Sequence, residues 1–262
     1  MEDLYDMIHK RKSLTLFRSN SHVSLSEEDI DNLYNFFHNT TPLLKNIKVS
    51  MELLKVDRTS SKRNEEYQII FYSEKKDNYL QNIGYIGEQV ELYLAKENIS
   101  STWFRCDSLL DTKKDDLYFV AMMLIKKSNE KLFRTEKSKV NRKDLSAIWK
   151  NDYYKEIGQS ARLAPSINNI QNWIAITNKG EILVYRKKGK GLRGLLPGLL
   201  VTYYNRIDIG IFIYFIELAL KHYNYLYEKE VIIDMIDDGE ERILNARFKI
   251  LNEKENIWKN LF

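Results

Sequence analysis

The sequence predicts an α+β fold made of two pseudo-symmetric halves, each an antiparallel sheet with flanking helices. Three observations predict it. Residues 82–94, NIGYIGEQVELYL, reappear as 208–220, DIGIFIYFIELAL, at an offset of 126 (208 minus 82). The same offset lays the strand-like DLYFVAMMLIKK (116–127) on RILNARFKILNE (242–253), and NTTPLLKNIKVS (39–50) on PSINNIQNWIAI (165–176). Helical apolar spacing alternates with short β-branched runs in both halves. Collinear echoes of this kind read as one structural unit written twice. The expected arrangement is a single interlocked domain over 1–262, with halves at about 1–144 and 145–262 that pack as an internal pseudo-dimer.

In the first half a helix is expected over 3–11, followed by the short segment KSLTLF. A second helix is expected over 26–38, opened by the Ser26–Asp29 form of the capping box, and Pro42 ends that region. The runs at 47–54 and 67–72 read as a strand pair around a polar loop. Helix 79–98 follows, with Leu80, Ile83, Ile86, Val90 and Leu94 spaced by three and four. Strand 117–125 closes the half, and the polar stretch 126–144 is the candidate linker. The second half is expected to run through helix 146–163, an irregular loop at 164–172, strands 173–178 and 181–186, helix 207–224, and strands 230–236 and 243–251. Gly84, Gly87 and Gly210 stand inside helices, where each costs roughly 1 kcal/mol relative to alanine. Close approach of a neighbouring helix or of a flat ligand would explain them.

A chain of 262 residues, 44% hydrophobic and 12% aromatic, can bury a sizeable core, which excludes a disordered protein. Its 41 basic and 37 acidic residues leave a net charge of +4, too mild to argue for nucleic acid and better suited to small phosphorylated ligands. One cysteine, Cys106, rules out an intrachain disulfide and is read as a packing residue. His9, His22, His38 and His222 have no metal-ligand spacing, so no metal is expected. The apolar stretch 207–220 carries Asp208 and Glu217 and reads as a buried helix rather than a membrane span. The opening MEDLYDMIHKRK lacks the apolar segment of a signal peptide, and a cytoplasmic setting is expected.

Gly189, Gly191 and Gly194 spell G-x-G-x-x-G after a strand, but Pro197 would interrupt the helix that a dinucleotide fold needs there. The segment is read as a basic loop, in which Arg186, Lys187, Lys188, Lys190 and Arg193 offer contacts for a phosphate. His9-Lys10-Arg11-Lys12-Ser13 puts three cations and a hydroxyl at a helix end. That pattern suits an anionic group, and it equally suits the helix dipole. APSINNIQNW (164–173) is rich in carboxamides, which either read the edge of a heterocycle or bond within their own loop. The aromatic pair Tyr203-Tyr204 is a candidate substrate wall.

Taken in order, IHKRKSLTLF, NIGYIGEQVELYLAKENISSTWF, NRKDLSAI and ARLAPSINNIQNW resemble the motifs of the FMN-dependent nitroreductase family, in a branch where two nitroreductase halves share one chain. The counterparts are the Arg-Arg-Ser flavin-phosphate motif, the central glycine-containing helix with its Gly-Leu-Gly-Ser-Cys-Trp turn, the Arg-Lys-Pro-Leu tail, and the Ala-Pro-Ser-x-x-Asn-x-Gln-Pro-Trp segment. The resemblance implies a nitroreductase-like fold and one composite FMN site per chain. Arg11, Lys12, Ser13 and Arg142 would hold the phosphate. Pro165, Ser166 and Asn169 would border the isoalloxazine, and Gln171 would support the loop. It further implies hydride transfer from NAD(P)H through FMN to a nitroaromatic, quinone or similar small acceptor, with no catalytic side chain. A monomer is expected, since the fused chain satisfies its own interface. The sequence departs from the family at Thr15 and Val140, where cations are usual, at Asn172 in place of proline, and at Phe104-Arg105 after the tryptophan. Those departures keep open an alternative: a flavin-binding protein that sequesters or senses without turnover.

Overall fold

Helix formation starts late, because the first turn lacks a side-chain cap. Instead of spanning 3–11, α1 covers Met7–Lys10 with Asp6 at its N-cap, and Leu4, Tyr5 and Ile8 fix it by burial. The computed structural model describes residues 4–14, 16–17, 24–57, 63–135, 140–187, 198–234 and 241–252. In α2 (Glu27–His38) the expected capping box is complete: Ser26 Oγ accepts from the Asp29 N–H at 3.1 Å, and Asp29 Oδ2 accepts from the Ser26 N–H at 2.9 Å.

The first sheet comprises β1 (Val49–Lys55), β2 (Tyr67–Ser73), β3 (Ile99–Phe104), β4 (Lys113–Lys114) and β5 (Leu117–Lys127), with α3 (Tyr79–Lys96) between β2 and β3. Its order is β1-β2-β5-β3, with β4 paired to β5 and every pairing antiparallel. Residues 99–104 correct the sequence reading, which compared them with a turn. Ile99, Ser100, Ser101 and Thr102 are buried against β5, and β-branched residues favour that pleated setting.

The second half begins with α4 (Leu145–Ile148), β6 (Trp149–Lys150) and α5 (Lys155–Ala161), where one helix over 146–163 was expected. Asn151 and Tyr154 take φ of 68° and 55°, which a right-handed helix cannot pass through, and β6 pairs in parallel with β7 (Trp173–Asn178). A Cβ on Gly158 would lie 2.6 Å from the Trp149 ring, so burying that indole leaves no room for a side chain there. Then come β8 (Glu181–Lys187), α6 (Gly198–His222), β9 (Tyr227–Val231) and β10 (Arg242–Ile250), in sheet order β6-β7-β8-β10-β9. Strands β7-β8-β10-β9 thus repeat the order β1-β2-β5-β3, and in each set a long helix follows the second strand, α3 after β2 and α6 after β8. Helix α6 starts nine residues before the expected 207, because Val201, Tyr204 and Asn205 are already buried. The glycine cluster at 189–194 and Pro197 lie outside the described residues.

The two long helices pack on each other, α3 also on β2, β3 and β5, and α6 on β8. The contact is reciprocal at the repeat offset. A Cβ on Gly84 would stand 2.0 Å from the Ile207 carbonyl oxygen, and one on Gly210 would stand 2.0 Å from that of Gln81. Gly87 instead makes room for Trp103, whose Cη2 would be 2.5 Å from its Cβ. One apolar cluster runs through both halves around these helices. A second, with Phe17, Ile70, Tyr72, Leu117, Phe119, Met122 and Leu124 buried, has Phe104, Cys106, Leu109 and Leu110 packed against it. Helix α6 is long and apolar enough to cross a membrane, but most of its apolar window is buried inside the protein.

Candidate cofactor site

Arg11 leaves the last turn of α1 and turns its side chain inward, to 1% exposure. It meets α3, where Glu88 and Glu91, three residues apart, share one buried face. Arg11 Nη2 donates to Glu91 Oε1 at 2.9 Å and to Ser13 Oγ at 2.7 Å. Glu91 also accepts from Ser101 Oγ and Trp103 Nε1, both at 3.1 Å. These donors outweigh burial and hold the Glu91 carboxyl below its ordinary range. Glu88 has no such set. Burial and the neighbouring Glu91 charge push it above the carboxylate range, against the pull of Arg11, whose Nε lies 4.0 Å from Glu88 Oε1. Ser13 forms a bridge with Ser101 of β3, and Lys12 beside it is exposed.

Two further guanidiniums share this corner. Arg142 donates through Nε to the Ala164 carbonyl at 2.8 Å, and through Nη1 to the Asn141 carbonyl and Asn169 Oδ1, both at 2.9 Å. Arg134 is anchored by its backbone N–H on the Lys10 carbonyl at 2.9 Å, next to Arg11. Burial and the nearby Arg11 charge lower both, Arg134 to about 10 and Arg142 to about 9, leaving them protonated at pH 7. Arg11 Nε and Nη1 and Arg134 Nη1 are buried with no hydrogen-bond partner. Glu91 and Glu88 both lie against Arg11, at 2.9 and 4.0 Å, and among the described residues neither Arg134 nor Arg142 forms an ion pair.

The Pro165 loop is drawn to the same place by hydrogen bonds. The Lys143 N–H donates to Gln171 Oε1 at 2.8 Å and Lys143 Nζ to the Gln171 carbonyl at 3.0 Å, while Gln171 Nε2 reaches Asn169 Oδ1 at 3.1 Å. Ser166 Oγ accepts from the Gln171 N–H at 2.9 Å. Asn168, Asn169 and Gln171 take φ of 57°, 55° and 52°, a region asparagine tolerates better than most side chains. Pro165 and Gln171 are buried, and Asn169 is exposed. The carboxamides therefore bond within their own loop and also tie it to Arg142. From behind, Asp208 of α6 accepts the Ile167 N–H at 2.8 Å, and burial raises its carboxyl well above the usual range.

Arg11 and Ser13 thus come together with Arg142 and the 165–171 loop across more than 120 residues of chain. A family model described as "Putative TM nitroreductase" matches residues 3–220. The chain belongs to this nitroreductase family. Among solved structures, a "putative nitroreductase" from Thermotoga maritima aligns over 96% of this chain and 95% of its own, with a TM-score of 0.59 at 17% identity, a likeness of fold. A nitroreductase family protein from Clostridium novyi aligns over 50% of this chain and 88% of its own, with a TM-score of 0.36 at 17% identity. No curated protein matches the chain.

Against the nitroreductase pattern, Val140 is buried and offers no cation, and Thr15 lies outside the described residues. Asn172 takes the usual proline position with its side chain 3.4 Å from Asn205 Oδ1. Two sequence candidates are spent on structure. Arg186 forms a bidentate buried pair with Asp234, both bonds at 2.8 Å, instead of reaching from a loop. Tyr203 donates to the Val120 carbonyl at 2.9 Å and Tyr204 to Asp107 Oδ1 at 2.7 Å, so their hydroxyls join α6 to the first half. Sequence reading missed Arg134, Glu88 and Glu91. The two acids had a visible sign, since they break the apolar face of a helix otherwise buried along its length. Arg134 stood in a stretch dense with lysine and arginine and carried none.

The donors present fit a phosphate monoester. Unpaired N–H groups on Arg11 and Arg134, beside the fork of Arg142, match the oxygens and charge of a dianion.

Proposed function

We propose that the chain is an FMN-dependent oxidoreductase that passes hydride from NAD(P)H to a nitroaromatic, a quinone or a similar small acceptor. The observation that carries this reading is the buried, partly unpaired guanidinium corner where the Arg11–Ser13 segment meets the Pro165–Gln171 loop. When bound, FMN supplies the hydride chemistry, so no side chain is needed as nucleophile or obligatory acid–base. Arg11, Ser13 and Arg142 hold the phosphate in this reading, and exposed Lys12 adds its charge from the rim. Pro165, Ser166 and Asn169 border the ring system, while Gln171 locks their loop to the 141–143 segment. Glu91 fixes the direction of Arg11, with Glu88 on the same face of α3.

The two halves act here as one interlocked domain and complete one site between them. The matching strand orders and the reciprocal glycine contacts support that reading. It makes the working unit a monomer, and the single cysteine suits the cytoplasm. The test is an absorbance spectrum after reconstitution with FMN and removal of excess, followed by NAD(P)H oxidation with menadione. About one FMN per chain and turnover above free FMN support the reading; a colourless protein ends it.

Thr15 at the position where the family often has a cation beside the reduced ring favours a second reading, a flavin-binding protein without turnover. It predicts a bound yellow cofactor with no rate above free FMN.

A further inference from the structure

We infer that Arg134 is a phosphate ligand, the third guanidinium of the corner formed with Arg11 and Arg142, and that it replaces the cation missing at Val140. The inference rests on the flavin reading above for its cofactor, and on the geometry for its charge class, a phosphate monoester dianion.

The position comes from the backbone. The Arg134 N–H donates to the Lys10 carbonyl at 2.9 Å, which sets the residue beside Arg11 although 123 positions separate them (134 minus 11). The tail position two before Arg142 is Val140, buried at 9% exposure, so it supplies no charge. Lys10 does not fill the gap, because its Nζ donates to Asn98 Oδ1 at 2.9 Å and sits 5.3 Å from the Phe133 ring.

The carboxylates nearby do not balance Arg134. Glu91 is engaged by Arg11, Ser101 and Trp103, and Glu88 also lies against Arg11, its Oε1 4.0 Å from Nε. Asp6 and Glu130 line, with Arg134 itself, a cavity of about 590 Å³, yet among the described residues neither forms an ion pair with it. Arg134 Nη1 stays buried with no hydrogen-bond partner, as do Nε and Nη1 of Arg11, which is 1% exposed. A guanidinium kept for stability alone is paired with a carboxylate or exposed to water, since unpaired burial beside a like charge is costly. An oxyanion between these groups turns that cost into binding.

The test uses the full chain and Arg134→Gln, with FMN and riboflavin titrated by flavin fluorescence quenching at two salt concentrations. Arg134→Gln is expected to weaken FMN about 10- to 100-fold, as for loss of a charge-assisted hydrogen bond, and to leave riboflavin unchanged. Thermal melts in inorganic phosphate against chloride of equal ionic strength form the second arm. Without phosphate the variant should melt at or above wild type, because it lacks a repelled charge, and phosphate should stabilise it less than wild type. A purely structural arginine would move the other way. Equal FMN affinity in variant and wild type, or parallel loss of FMN and riboflavin, overturns the inference. If wild type binds neither flavin but gains stability from phosphate through Arg134, the inference stands and the flavin reading falls. If neither flavin nor phosphate acts on wild type, both are wrong.

Discussion

Asn82 and Asp208 perform the same task 126 residues apart. Asn82 Oδ1 accepts the Leu44 N–H at 2.9 Å, and Asp208 Oδ1 accepts the Ile167 N–H at 2.8 Å. Each presents its second polar atom, Asn82 Nδ2 or Asp208 Oδ2, to a buried place without a partner. The amide does this uncharged at every pH. A carboxylate oxygen left there without a partner is costly, and burial raises the Asp208 carboxyl well above its usual range.

Asp208→Asn should therefore be accepted, making the second half resemble the first. A group with a raised folded pKa contributes fully only below its unfolded value and loses that contribution as pH rises, so at pH 7 wild type bears a cost that asparagine avoids. The variant is expected to be more stable than wild type at pH 7 and level with it near pH 4. Urea unfolding at the two pH values checks it, and a loss at pH 7 would refute the raised carboxyl.

Glu88 and Glu91, one turn apart, should respond in opposite ways. Glu88→Gln removes a carboxyl whose raised folded pKa costs stability as pH rises, so it should stabilise at pH 7, as Asp208→Asn does. Glu91→Gln removes the charge opposite Arg11 and should cost about 3–5 kcal/mol, the range for a buried pair broken on one side. Equal effects in urea melts would mean that the charge is shared differently.

Gly84→Ala should be among the most damaging single-methyl changes, because the added carbon meets backbone at 2.0 Å rather than a movable side chain. Roughly 2–4 kcal/mol is expected, and Gly210→Ala should match it. If either variant unfolds at the wild-type urea midpoint, the close helix contact is wrong.

Acid should weaken the protein through Glu217, whose carboxyl is pulled to about 2, against burial, by Lys229 and Lys221. A depressed folded pKa contributes stability that is complete above the unfolded value and is lost as pH falls toward 2. The pair of cations should then be worth about 3 kcal/mol at pH 7. The gap between wild type and Glu217→Gln should close between pH 4.5 and 2. A gap that persists at the lower pH contradicts this assignment.

Much of the architecture was legible locally. Apolar spacing located α3, Ser26 and Asp29 marked the start of α2, and alternating β-branched runs located β7 and β8 within a residue or so. The offset of 126 also survives folding, since α3 and α6 both end on it, at Lys96 and His222. These properties depend on neighbours within a turn or a strand, which the chain order supplies. The split of residues 146–163 was not legible, because it depends on Trp149 finding space over Gly158 and pairing with β7.

Chain order alone carried the repeat, the α+β class and the residue types able to meet an anion at Arg11 and Arg142. Only the tertiary structure decided which cations are spent and which are free. Arg186 is taken by Asp234, while Arg134 is held beside Arg11 with an unpaired donor. The reason is physical. A charge is paired by whichever opposite charge lies a few ångströms away in space, and after burial that distance, rather than position along the chain, sets its energy.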